Sequence, residues 1–298
     1  CTATLLQEPS HRKLVTFLFL NYISPIKGGL MSKYSPSYGQ VNKEYAKRMF
    51  TTAPDDDGPV WMVNLMKYRT EATYADGTKG VSGKEADDRY APTKILREIG
   101  AEIPFFGDAI STISRDGTQW DRVAVVKYPT RRSFLEMQNR QDFQKKHEHK
   151  DAGMEFTFVI GCQPMSPQPV VRPDTSKWSA SDSIDDGPIM VVHVIRYEED
   201  GLDNHMVHYQ NTAAGPATRI GGGAAAWFNV EGTIMGDGRS WDEVRFNAFP
   251  SLKSFTEEVV NDPDRMKAAS EHRERAIADT YTIIVRPTID TFTTQGPV

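Results

Sequence analysis

A predicted strand in the second half of the chain carries polar or aromatic side chains at every second position. In residues 241–249, WDEVRFNAF, this set is Trp241, Glu243, Arg245 and Asn247. Side chains of a strand point alternately to its two faces, so these four share one face. A carboxylate, a guanidinium and an amide can together bind and polarise a carbonyl or carboxylate compound. The segment therefore predicts one wall of a small-molecule site.

Two neighbouring segments add a base and further polar groups to that wall. The preceding strand carries Trp227, Asn229 and Glu231 on one face, and an earlier apolar run carries His193 and Tyr197 on one face. A buried polar group without partners costs about 1–3 kcal/mol. A polar face inside a covered sheet therefore indicates a ligand, water or a polar network. We predict that these side chains surround one cavity.

His193 is the natural acid or base of the set, because an imidazole titrates near neutrality without help. Glu231 or Glu243 would orient it, and Arg245 would bind a carboxylate or stabilise an enolate oxygen. A structural interpretation stays open, with Glu243 and Arg245 as an ion pair and His193 as a core residue. These four are the predicted catalytic residues. The predicted substrate-binding residues are Asn229, Asn247, Trp227, Trp241, Tyr197, His208 and Asn64.

Two further histidines could reach the same cavity. His205 and His208 are three residues apart in DNHMVHYQN, which places them on one face of a helix. Together with His193 or Glu231 they could ligate a metal ion. No HExxH motif or Cys/His framework accompanies them. We predict no metal, with His205 and His208 as the alternative ligands.

The elements that position these residues come from an internal duplication. Residues 56–68, DDGPVWMVNLMKY, match residues 185–197, DDGPIMVVHVIRY, and DGTQWDRV at 116–123 matches DGRSWDEV at 237–244. The two offsets, 129 and 121, differ by eight residues. The difference indicates an insertion in the first copy, which we place in a polar loop around 75–82.

Each copy predicts the element order β-α-β-β-α-β. An apolar strand precedes a polar helix, two strands joined by Asp-Gly form a hairpin, and a second helix and last strand follow. Thr130 and Ser251 stand where helix N-caps belong. Gly215-Pro216 is expected to interrupt the first helix of the second copy. The predicted elements are 60–68, 85–99, 105–114, 120–128, 130–150 and 156–161, then 189–197, 203–220, 226–235, 241–249, 251–278 and 281–285. The fold class is α+β, with two tandem ferredoxin-like units.

This pattern of strands and turns, over about residues 56–290, resembles the dimeric α/β-barrel superfamily. The Gly-Pro-strand-Asn/His and Trp-Asp-strand-Tyr/Phe-Pro-Ser/Thr sequences are most similar to its DUF1330-type members. Antibiotic-biosynthesis monooxygenases and the NIPSNAP group are more distant relatives. The resemblance implies that the two units close one intramolecular barrel, with helices outside. We expect the apolar face of 241–249 to meet helices and the polar face to lie inside the barrel. Because some tandem barrels of the superfamily hold heme, the resemblance also implies heme on one of the histidines as an alternative.

Two functions follow as hypotheses. The first is a cofactor-independent oxygenase, isomerase or lyase, in which His193 performs acid-base chemistry on a small carbonyl or carboxylate metabolite. The second is a protein that binds a hydrophobic metabolite or heme without turnover. The first copy is drier than the second, since Asn64 lies there among methionines. We therefore place the working cavity in the second copy.

Composition excludes several other classes. The 298 residues are 39% hydrophobic and 25% charged, as in an ordinary globular protein. A formal net charge of −5 gives no basic field for nucleic acid. The apolar run 14–26 is too short to span a membrane. Two cysteines provide no disulfide framework, so a reducing cytoplasm is expected. Homo-oligomerisation stays open.

The repeats and the stretches between them divide the chain into five parts. Residues 1–30 are expected to lie outside the fold, because they hold the apolar run and precede a polar segment that begins at Met31. Residues 164–186 are rich in Pro, Ser and Asp, which is typical of a linker. We predict an N-terminal extension (1–55), a first repeat (56–164), a linker (165–185), a second repeat (186–290) and a tail (291–298).

Overall fold

A computed structural model describes residues 36–168, 171–178 and 186–298. The predicted extension 1–30 lies outside the described residues, as do 169–170 and 179–185 of the predicted linker. The chain divides into Cys1–Ser37 and a second compact unit, Tyr38–Val298. None of the helices in the described part of the chain is long and apolar enough to cross a membrane.

Nine strands are described. They are β1 Gln40–Val41, β2 Val60–Tyr68, β3 Glu102–Ser114, β4 Arg122–Tyr128, β5 Met154–Pro164, β6 Ile189–Tyr197, β7 Gly223–Gly236, β8 Glu243–Phe249 and β9 Ile277–Asp290.

Ten α-helices are described besides the 3-10 helix Thr175–Lys177. They are α1 Lys43–Thr51, α2 Gly83–Tyr90, α3 Thr93–Glu98, α4 Arg131–Gln138, α5 Gln141–Gly153, α6 Val207–Arg219, α7 Leu252–Ser254, α8 Pro263–Ala268, α9 Glu274–Ala276 and α10 Phe292–Gln295. Three π-helical turns adjoin them: Leu202–Met206 leads into α6, Phe255–Val260 follows α7, and Ala269–Arg273 joins α8 to α9.

The strands β2–β9 close an antiparallel eight-stranded barrel. Their order is β7-β5-β2-β4-β3-β9-β6-β8, and β8 pairs back onto β7. Within each half the last strand neighbours the first, and the third lies between the first and the second. The halves meet where β5 pairs with β7 and β3 with β9. The short strand β1 pairs with the far end of β7.

Local signals in the sequence are confirmed at several turns and caps. Gly117 and Gly238 have φ of 76° and 95° in the two hairpin turns, a conformation that glycine adopts without strain. The Thr130 and Ser251 side chains each accept a hydrogen bond from the backbone N–H three residues on. The expected break at Pro216 is wrong. Helix α6 continues through this proline, whose ring is buried.

The interior of the barrel is a dry apolar core. Alternate residues of all eight strands meet there, and large aromatic rings fill the centre. From β8 the core residues are Val244, Phe246 and Ala248. The expectation that this apolar face meets the helices is therefore wrong, since it fills the barrel. The polar face with Glu243 and Arg245 points outward, toward the helices.

Segments outside the repeats belong to the same compact unit. Tyr45 of α1 is buried, and its ring lies against Gly161 and Gly232, where a Cβ atom would collide with it. At the other end of the chain, Phe292 of α10 is buried in the barrel core. Residues of the predicted N-terminal extension and of the predicted tail thus pack against the barrel.

Candidate active site

A cavity of about 610 Å³ lies between the outward face of the second half of the barrel and its helices. Its floor is formed by β6–β9, and its roof by one face of α6 and by the segment 255–273. Met165, Pro167, Gln168 and Val171 line one side, where the Gln168 amide donates to and accepts from the Trp227 backbone at 2.9 and 3.1 Å. The volume suits a drug-sized ligand.

One row of paired residues crosses the cavity floor from strand to strand. Trp227 of β7 pairs with Arg245 of β8, which pairs with His193 of β6. His193 pairs in turn with Thr282 of β9, and Thr282 with Ile113 of β3. Directly opposite residues of antiparallel strands have Cβ atoms about 4.5–5.5 Å apart. The row therefore places an imidazole, a guanidinium and a hydroxyl side by side on the cavity floor.

His193 is placed to act as a neutral base. Its Nδ1 lies 3.2 Å from Thr282 Oγ1, which leaves Nε2 for a ligand. Burial lowers the pKa of His193 well below its usual value, and the nearby Arg273, Arg245 and Arg265 lower it further. At neutral pH the imidazole is thus uncharged and can accept a proton.

Arg245 is held in a buried polar network. Its Nε donates to Glu243 at 2.6 Å, and its Nη2 donates to the Tyr197 hydroxyl at 2.6 Å. Tyr197 in turn donates to Glu243 at 2.6 Å. With its amide oxygen turned toward the guanidinium, Gln210 of α6 accepts from both Nη atoms at 2.7 and 2.6 Å. The guanidinium also lies 4.1 Å from the centre of the Trp227 ring.

The neighbouring residues Asn247, Asn229 and Glu243 lie on either side of this row. Asn247 lines the cavity and accepts from Trp227 Nε1 at 3.0 Å. Asn229 and Glu243 line a second, smaller pocket together with Tyr197. His193, Arg245, Asn247 and Trp227 therefore line one cavity, with Glu243 and Tyr197 behind Arg245.

Four predicted site residues lie elsewhere. Glu231 binds Arg131 of α4, which donates to it from Nε at 2.7 Å, so it pairs with the first half of the chain and cannot orient His193. Trp241 packs in the barrel core, because it precedes β8 and does not follow the alternation of that strand. Asn64 donates to its own strand at Met62 O, 2.9 Å away. None of these residues lines the described cavity.

His208 is the fourth, and with His205 it lies beside His272 and not in the cavity lining. The ring centres are 5.2 Å apart for His208 and His272 and 5.9 Å for His205 and His272. In the described ranges, no three His, Cys, Asp or Glu side chains are grouped so that they could hold a metal ion. Heme ligation by His205 or His208 in the cavity does not fit this arrangement.

Most of the residues that line the roof of the cavity were not predicted from the sequence. The lining face of α6 follows a helical period, but its small residues carry no chemical signal of their own. Arg265 and Arg273 line the cavity from a segment that two π-helical turns distort, so an ideal helical period does not bring them together. The lining residues of α6 and its preceding turn are Met206, Tyr209, Gln210, Asn211, Ala213, Ala214 and Ala217.

The first repeat lacks this chemistry at the corresponding strand positions. Asn64 of β2 pairs with Ala124 and Val159, where His193 pairs with Arg245 and Thr282. The outward face of the first half carries the buried Arg122, whose Nη1 donates to Asp88 and whose Nε donates to Asp108, each at 2.8 Å. The duplicated halves therefore both carry a buried arginine on their outward faces, and they differ in having Asn64 where the second half has His193.

Comparison with known proteins leaves the family open. No known family model and no curated protein matches the chain. A protein of unknown function from Rhodopseudomonas palustris is 25% identical over 44% of this chain and 99% of its own, with a TM-score of 0.38. A chlorite dismutase variant from Candidatus Nitrospira defluvii is 10% identical over 83% of this chain and 97% of its own, with a TM-score of 0.45.

A further similarity is to a proposed monooxygenase from Fusobacterium nucleatum. It is 12% identical over 77% of this chain and 94% of its own, with a TM-score of 0.42. Each of these TM-scores is below 0.5, so the similarities assign no activity to this chain. The DUF1330-type and NIPSNAP resemblances stay predictions.

Proposed function

We propose that the protein is a small-molecule enzyme that removes a proton from a carbonyl compound bound in the cavity. The observation that carries the proposal is the pairing of His193 with Arg245 across the sheet on the cavity floor, and burial supports it by lowering the pKa of His193. A neutral imidazole beside a guanidinium is a base beside an electrophile. We further infer that the two halves are tandem ferredoxin-like units, a proposal supported by their shared strand order.

The proposed step moves one proton and one electron pair. His193 Nε2 takes a proton from the carbon next to the carbonyl, and the electrons of that C–H bond form an enolate. Arg245 stabilises the negative oxygen that develops. Return of the proton to another carbon would be isomerisation, and cleavage of a neighbouring bond would be a lyase reaction. Attack of the carbanion on O₂ would begin a cofactor-independent oxygenase reaction.

Deuterium incorporation tests this step without knowledge of the final product. The protein is incubated in D₂O with a panel of small ketones, keto acids and phenols, and mass spectrometry measures the mass increase. We expect exchange into at least one compound, and we expect His193→Gln to slow it by at least about 100-fold, because a positioned base contributes about 10²–10⁴. His149→Gln, a histidine on α5 of the first repeat, is the matched control and should exchange normally.

The pH dependence gives an independent check on the base. Because the pKa of His193 is lowered by burial and by the nearby arginines, the imidazole stays neutral below pH 6.5. The exchange rate should therefore remain constant from pH 8 to below 6.5 and fall only at still lower pH. Loss of exchange with a midpoint at or above 6.5 would contradict the assignment of His193 as a base of lowered pKa.

A binding protein without turnover is the second candidate, favoured by the many apolar side chains in the lining. If compounds of the panel saturate the cavity and all of them are recovered without deuterium or any other change, the result would support binding without turnover. An unchanged exchange rate in His193→Gln would instead show that another residue removes the proton.

A further inference from the structure

The arginines of the cavity differ in whether a carboxylate of the protein neutralises their charge. Three arginines line it, Arg245, Arg265 and Arg273, and the described lining contains no aspartate or glutamate. Glu243 lies behind Arg245 and forms a salt bridge with it. Arg245 is therefore already neutralised by a carboxylate of the protein, whereas the other two arginines are not.

Arg273 has no carboxylate partner among the described residues. Its Nη2 donates to Thr282 Oγ1 at 3.4 Å. Burial lowers the pKa of Arg273, and the nearby Arg265, Arg245 and Arg115 lower it further, whereas Tyr209 raises it. Arg265 donates from Nη1 to the Val260 carbonyl at 3.2 Å and also lacks an acid within the described ranges. Bringing two unpaired cations together in a partly buried site is unfavourable unless an anion joins them.

Thr282 connects this cationic corner to the base. Its hydroxyl lies 3.2 Å from His193 Nδ1 and 3.4 Å from Arg273 Nη2. A group bound by Arg273 is consequently one side chain away from His193. The opposite end of the cavity is apolar, with Ile284 on the floor and Phe255 and Val259 in the roof.

We propose that the cavity takes an organic carboxylate with an apolar body, and that Arg273, assisted by Arg265, binds its carboxylate. The planar guanidinium matches a carboxylate with two parallel hydrogen bonds. Arg245 is left for the second oxygen function, beside His193. This inference rests on the cavity of the proposed function and specifies its substrate class and a specificity-determining residue.

Matched pairs of probes test the charge requirement. Octanoate, benzoate and 3-phenylpropanoate are compared with octan-1-ol, benzyl alcohol and 3-phenylpropan-1-ol by calorimetric titration. We expect at least one carboxylate to bind at least about 10-fold more tightly than its alcohol, since a hydrogen bond to a charged group is worth about 1.5–3 kcal/mol. The preference should weaken as salt is raised.

Substitution assigns the preference to Arg273. Arg273→Met should abolish the difference between carboxylate and alcohol without lowering the melting temperature, because it removes an unpaired cation. Arg265→Met should reduce the difference partially. Arg275→Met is the matched control, since this arginine is exposed two residues further on, and it should retain the full preference.

Three outcomes overturn the inference. They are alcohols that bind as tightly as carboxylates, the absence of carboxylate binding in the whole panel, and a preference that survives in Arg273→Met. These results are distinct from failure of the proposed function. Arg273-dependent binding without deuterium exchange would support the carboxylate site and contradict the catalytic proposal. Exchange into neutral ketones alone would support the catalytic proposal and contradict the carboxylate site.

Discussion

Glu243→Gln is expected to lower the free energy of unfolding by about 3–5 kcal/mol, measured by urea denaturation. The side chains of Glu243 and Arg245 are nearly inaccessible, with 4% and 6% exposure. The substitution removes the carboxylate that offsets the Arg245 charge and accepts from the Tyr197 hydroxyl. An uncompensated guanidinium would then remain buried beside Trp227 in a cavity that already contains two other arginines.

Two comparisons separate the charge effect from simple loss of a contact. Glu243→Leu combined with Arg245→Met removes both charges and should recover much of the lost stability. Glu271→Gln breaks an exposed ion pair in which Lys267 Nζ lies 3.9 Å from Glu271 Oε1. It should change the free energy of unfolding by no more than about 1 kcal/mol. If the double variant is as unstable as Glu243→Gln, the uncompensated charge is not the cause.

Phe292→Ala is expected to destabilise the protein by a similar amount, about 3–5 kcal/mol. Phe292 is fully buried, and its ring centre lies 5.2 Å from that of Phe246 and 6.1 Å from that of Phe105. Truncation to alanine would leave a void in the barrel core that the closed strands cannot collapse to fill. The measurement is again the unfolding free energy in urea.

Gln295→Ala is the control for this second variant. Gln295 is exposed on the same short helix, α10, so its substitution should change stability by less than about 0.5 kcal/mol. Equal and small effects of the two substitutions would show that α10 does not contribute to the core. The result would then favour the sequence-based assignment of 291–298 as a tail.

The predictable part of the fold is the part that depends on neighbours along the chain. Two Asp-Gly turns each require a glycine with positive φ, and the Thr130 and Ser251 caps depend on residues three positions away. The strand 189–197 was predicted to the residue, because a continuous apolar run between turn signals is a local pattern. Helix α6 was harder, since burial of Pro216 against the rest of the protein offsets the hydrogen bond that the proline removes.

The site was predictable only in part, for the same reason. Strand alternation correctly grouped Arg245 with Asn247, and the register places Arg245 opposite His193 and Asn247 opposite Val191. Glu231 was misplaced although it shares a strand with Trp227, because β7 is long enough to leave the second half and pair with β5 and Arg131. Arg273 could not be found, since it reaches the cavity from a distorted helical segment far along the chain.

The alternation of side chains in the sequence determines which residues of a strand share a face, because it follows from backbone geometry alone. It does not determine which face points inward. That depends on closure of the barrel: aromatic and aliphatic side chains fill this interior, and the alternate face with Glu243 and Arg245 lies outside it. Placed outside, under α6, the same residues form their network with Tyr197 and border a cavity. Closure thus places the polar face at the ligand cavity and the apolar face in the core.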